Sequence, residues 1–104
     1  MINNFGIPED VFSEILMVLR GQPKIECAKI FGSRAKGNYK RYSDIDIAIF
    51  ANTDGDLSQN VKDALEDLDT IYNFDVLHYD KISNVEIKAH INRVGIEILC
   101  NSTS

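Results

Sequence analysis

The chain is 104 residues long, 44% apolar and 26% charged, a balance that fits one globular unit with a modest core and excludes a disordered chain. Sixteen acids against eleven bases leave a net charge of −5, which argues against a broad nucleic-acid surface, because affinity for a phosphate backbone comes from Lys and Arg. No apolar run is long enough to span a bilayer, and Met1-Ile2-Asn3-Asn4 carries neither a basic nor an apolar leader, so the cytoplasm is the expected compartment.

In chain order, Pro8 to Arg20 reads as a helix, with Pro8 at its first position, Glu9 and Asp10 at the positive end of the dipole, and Val11, Ile15, Val18 and Leu19 at helical spacing. Gly21 and Pro23 end it. Lys24 to Phe31 reads as a strand. Gly32 to Ser43 is a polar loop that can hold a helical turn. Asp44 to Phe50 is a strong strand, and Asn52 to Asp56 is turn chemistry. Ser58 to about Asp69 is a helix with Val61, Leu65 and Leu68 on one face. Phe74 to His78 is a third strand. Ser83-Asn84-Val85-Glu86 fits a capping box that opens a helix bearing Ile87, Ile91 and Val94. Gly95 can cap that helix before a last strand, Ile96 to Cys100. The order predicts an α/β (α+β) fold: a small mixed sheet with flanking helices, in one domain spanning residues 1–104. The connection between the first two strands is short for a parallel crossover, so that pair should be antiparallel.

Three features carry possible chemistry. Gly32-Ser33-Arg34-Ala35-Lys36-Gly37 follows a strand, where glycines allow close approach of a ligand and successive N–H groups can cradle an anion. It is not a P-loop, since Asn38 and Tyr39 follow the second glycine in place of Lys and Ser or Thr. In Asp44-Ile45-Asp46-Ile47-Ala48-Ile49-Phe50 the isoleucines face one way and the two aspartates the other. Like charges one pleat apart repel, and a hard divalent cation such as Mg²⁺ removes the conflict. Asp75 stands near the start of another apolar strand. If that strand lies beside the first, three carboxylates and triphosphate oxygens can hold two metal ions. Taken singly, the glycine loop also fits an ordinary surface loop, the two aspartates a solvated strand end, and Asp75 a solvated or capping residue more than a ligand.

Other candidates read as structural. Cys27 and Cys100 are expected to be buried thiols on separate strands, with no Cys/His cluster for zinc. His78 and His90 lack zinc spacing. Tyr39 and Tyr42 flank the glycine loop and could stack on a base, or simply pack.

Gly32-Ser33, ten residues, then Asp44-Ile45-Asp46 resembles the Gly-Ser/Asp-x-Asp signature of polymerase-β-like nucleotidyltransferases, and Asp75 falls where the third carboxylate of that superfamily lies. The Gly-Ser-Arg-Ala-x-Gly form, the short chain and the closing helix are similar to the minimal nucleotidyltransferase (MNT) group, the antitoxin halves of HEPN–MNT toxin–antitoxin pairs. The resemblance runs from about Cys27 to Cys100. It implies that Gly32 and Ser33, assisted by Arg34, bind the β- and γ-phosphates. It implies that Asp44 and Asp46 ligate two Mg²⁺ ions, while Asp75 ligates the catalytic one and helps deprotonate the acceptor. The implied function is transfer of a nucleoside monophosphate, AMP from ATP, to a tyrosine of a HEPN ribonuclease, with the two proteins in one assembly. No stable nucleic-acid or membrane binding is expected. Two alternatives stay open: an antitoxin that neutralises its partner by contact alone, and a subunit of a small-molecule, aminoglycoside-type transferase.

Overall fold

The computed structural model describes residues 5–41 and 43–100. Helix α1 (Glu9–Arg20) leads to strand β1 (Cys27–Phe31), the short helix α2 (Ser33–Lys36) and strand β2 (Ile45–Phe50). Helix α3 (Ser58–Glu66), strand β3 (Phe74–His78), a 3₁₀ turn (Tyr79–Lys81), helix α4 (Val85–Val94) and strand β4 (Ile96–Cys100) complete it. The sheet order is β3-β2-β1-β4. The β1–β2 and β1–β4 pairs are antiparallel, and β2–β3 is parallel. The mixed sheet with flanking helices is therefore as the sequence predicts, including the antiparallel first pair. No helix among the described residues is long and apolar enough to cross a membrane.

Alternation along the strands sorts side chains onto two faces. Ile30, Ile45, Ile47, Ile49, Val76 and Leu99 face one side, where they pack with Ile15 and Leu19 of α1 and with Val61 and Leu65 of α3. This is the larger core. On the other face Phe31 and Ala48 pack against Ile91 of α4, with Phe50, Leu77 and Val94 around them. Two local readings change. The cap of α4 is Asn84, not Ser83: its carboxamide oxygen accepts from the N–H of Glu86 at 2.9 Å and of Ile87 at 3.2 Å. Ile87 points outward, and Ile91 and Val94 make the contact with the sheet.

Between β2 and α3 the chain has no ladder to satisfy its backbone, and His78 supplies the partners. The imidazole is buried at the end of β3. Its Nδ1 accepts from the N–H of Leu57 at 3.1 Å, and its Nε2 donates to the carbonyl of Ala51 at 2.8 Å. Those two bonds set the tautomer of a neutral ring. Asp80 of the 3₁₀ turn adds a third tie by accepting from the N–H of Ala51 at 3.0 Å. Replacing His78 by Leu keeps the apolar bulk but leaves a part-buried donor and a buried acceptor unmade. We expect His78→Leu to lose about 1–3 kcal/mol of stability in urea denaturation. A variant as stable as the parent would show that these two bonds do not brace the loop.

Candidate active site

The parallel pairing of β2 with β3 decides the site. Asp46 is the register partner of Asp75, so the two backbones carry carboxylates on neighbouring strands about 4.8 Å apart. Both lie on the α4 face of the sheet, at its end nearest α2. The ladder is anchored just before them, where the N–H of Ile45 donates to the carbonyl of Asn73 at 2.9 Å. Asp44 sits one pleat before Asp46, outside the strand, and is exposed like Asp75, whereas Asp46 is half-buried.

Gly32 closes over Asp46 from the other side. On β1, Phe31 is the partner of Asp46, and Gly32 follows with φ +75° and ψ −152°. A side chain there would be strained by the backbone alone. A Cβ would also collide with Oδ2 of Asp46. Glycine is thus required by conformation and by space together. Helix α2 begins at Ser33, and its bonds run from the N–H of Lys36 to Gly32 and from the N–H of Gly37 to Ser33. The first N–H groups of a helix have no partner within it. Gly32, at the head of this helix, stands against Asp46, and Ser33 follows it where the resemblance expects the phosphates.

Arg34, expected to assist at the phosphates, is almost wholly buried, with 1% exposure. Its Nη1 donates to the carbonyl of Phe5 at 2.8 Å, its Nη2 to Ser43 at 2.9 Å, and its Nε to Ser43 at 3.2 Å. The rings of Tyr39 and Tyr72 flank the guanidinium, each centroid 5.2 Å from its carbon. Burial lowers the guanidinium pKa, opposed by Tyr72, Tyr39, Asp44 and Asp46. Arg34 therefore ties the glycine loop to the chain at Phe5 and Ser43. Tyr39 packs on Arg34, and Tyr42 lies outside the described residues.

Burial, then the charges of Asp75 and Asp44, push the Asp46 carboxyl up to about 6; Arg34 pulls the other way. Among the described residues, the oxygens of these three acids do not all come within 4.8 Å of one another; the trio that does is Cys27, Glu97 and Cys100. Even so, the donor set suits a hard divalent cation: carboxylates on adjacent strands, one of them half-buried and destabilised by its acidic neighbours, beside a cradle that only glycine permits. A cleft of about 610 Å³ lies at the opposite end of the sheet, bounded by Pro23, Lys24, Asn52 and Leu57 among others, and does not include the carboxylates.

Residues 13–104 match the family described as "Polymerase beta, Nucleotidyltransferase", and the chain belongs to that family. No curated protein matches it in sequence. Among solved structures, a toxin–antitoxin with AMP-PNP superimposes with a TM-score of 0.64 at 27% identity, over 85% of this chain and 72% of the other. A mutant of the MntA–HpeT toxin–antitoxin gives 0.62 at 26% identity, over 90% and 73%. The MntA–HepT toxin–antitoxin gives 0.59 at 23%, over 89% and 73%, a likeness that speaks to the fold alone. These neighbours bear out the expected likeness to the MNT group and the polymerase-β-like fold.

The raised pKa of Asp46 has a stability consequence. In the metal-free chain its folded value of about 6 lies above the ordinary aspartate value of 3.8, so the native state holds the proton more tightly. Stability is therefore given up as pH rises from about 4 through 6, and the loss is complete above that window. Asp46→Asn escapes it. With EDTA present, we expect Asp46→Asn to match the parent near pH 4 and exceed it by about 1 kcal/mol at pH 7.5, a figure reduced for solvent screening of a half-exposed group. Urea denaturation at the two pH values measures this. A variant weaker than the parent at pH 7.5 would make Asp46 a structural residue.

Proposed function

We propose that the chain is a Mg²⁺-dependent nucleotidyltransferase that moves AMP from ATP to a hydroxyl of a protein partner, a tyrosine of a HEPN-type toxin, and thereby acts as its antitoxin in the cytoplasm. One observation carries this reading: Asp46 and Asp75 are register partners on parallel strands, with Gly32 folded against Asp46. Membership of the nucleotidyltransferase family supports the reaction class. Similarity to a toxin–antitoxin with AMP-PNP supports the nucleotide and the kind of partner.

In this proposal residues 1–104 act as one domain. Asp44, Asp46 and Asp75 would hold two Mg²⁺ ions, which would supply charge neutralisation at the triphosphate and at the attacking oxygen. Ser33 and the first amides of α2 bind the β- and γ-phosphates. Arg34 keeps that loop in shape through its bonds to Phe5 and Ser43 and adds positive charge near Asp46. Asp75, exposed on the edge strand β3, receives the proton of the acceptor hydroxyl. The oxygen then attacks the α-phosphorus in line, the bond to the β-phosphate oxygen breaks, and pyrophosphate leaves. The net charge of −5 disfavours nucleic acid as acceptor.

Intact-mass spectrometry of the chain mixed with its HEPN partner, Mg²⁺ and ATP is the test. The partner should gain one AMP per transfer, and Asp46→Asn should slow the gain by at least about a hundredfold, as expected when a metal-holding group is removed. A partner silenced without any change in mass would favour the contact-only antitoxin and overturn the enzymatic reading.

A further inference from the structure

The two cysteines, expected to be buried thiols on separate strands, do lie on separate strands, but side by side and not fully buried. Cys27 begins β1, Cys100 ends β4, and they are register partners on antiparallel strands. Their sulfurs are 3.3 Å apart, with Cys27 half-buried and Cys100 exposed. Glu97 joins them through an irregularity in the ladder. Glu97 and Cys100 are three positions apart and would lie on opposite faces of a regular strand. Here Ala28 pairs with Leu99 while the next residue, Lys29, pairs with Glu97, so Ile98 is an extra residue. Such a bulge re-aims the side chains around it. It turns the Glu97 carboxylate to the side of the two sulfurs, and the three ligand atoms lie within 4.8 Å of one another.

We propose that Cys27, Glu97 and Cys100 form a surface site for a thiophilic divalent cation of the Zn²⁺ type, which pins the edge strand β4 to β1. A tetrahedral ion with sulfurs about 2.3 Å away sets them about 3.8 Å apart, a small widening of the spacing present. A carboxylate serves as third ligand and water as the fourth. On binding, two S–H bonds break, their protons pass to buffer, two metal–sulfur bonds form, and no electrons are exchanged. The Cys27 thiol is pushed up to about 11 by burial, by its hydrogen bond to Cys100, and by the negative charges of Cys100, Glu97 and Glu26. A cation opposes those charges, and because its binding displaces the thiol protons, affinity should rise with pH. The site is separate from the carboxylates. Cys27 pairs with Phe50 on β2, four residues along the strand from Asp46, about 13 Å away.

The test titrates the reduced, full-length chain with CoCl₂ without oxygen. One equivalent should produce a near-ultraviolet thiolate-to-cobalt charge-transfer band that Zn²⁺ abolishes. Cys27→Ser and Cys100→Ser should each remove most of it. Glu97→Gln, an exposed change that leaves both sulfurs, should weaken cobalt binding at least about tenfold. Asp46→Asn should keep the band, because the carboxylate site has no sulfur. No band at one equivalent, or a band that survives Cys27→Ser, overturns the proposal. So does a chain isolated two hydrogens lighter, with the cysteines joined as a disulfide.

Discussion

The structure turns on one ladder, the parallel pairing of β2 with β3. Parallel pairing requires a crossover, and α3 with its flanking loops provides it. The register then leaves no freedom. Once Ile47 meets Val76 inside the larger core, Asp46 must meet Asp75 on the opposite face. A slip of β2 by one residue would turn its isoleucines out of the larger core and Asp46 into it, so hydrophobic burial fixes the position of that carboxylate. The repulsion between the two acids is sustained by the core beneath.

Around that pair, the surroundings work by shape and by charge. Gly32 admits the Asp46 carboxylate to a space that any side chain would fill. Arg34 is buried yet spends its N–H groups on backbone carbonyls rather than on an acid. Its charge still reaches Asp46 and tempers the upward push on its pKa. Polar groups inside the chain are thus matched, His78 beneath the loop at residues 51–57 and Arg34 beneath the glycine loop.

Much of this was legible in the sequence, because alternation and helical spacing are strong signals. The run Ile45-Asp46-Ile47 predicted both faces of β2, and β3 and β4 fall where the apolar runs put them. The Gly-Ser and Asp-x-Asp spacing pointed to the carboxylate site. What the sequence hid depends on tertiary partners. The duty of Arg34 depends on carbonyls up to 29 positions away. The meeting of Cys27 with Cys100 depends on strand order, and that of Glu97 on a bulge that no local pattern announces. Asn84 caps α4 rather than Ser83 because the helix begins at Val85, which puts Asn84 in the cap position.

Everything at the site depends on Asp46 being held, half-buried, against other acids. The direct measurement is a carbon-13 NMR titration of the Asp46 carboxyl in the metal-free protein. The midpoint should lie near 6, falling in Asp75→Asn yet staying above that of an ordinary aspartate, because burial is the larger cause. A midpoint of about 4, the ordinary value, unchanged by Asp75→Asn, would contradict that placement.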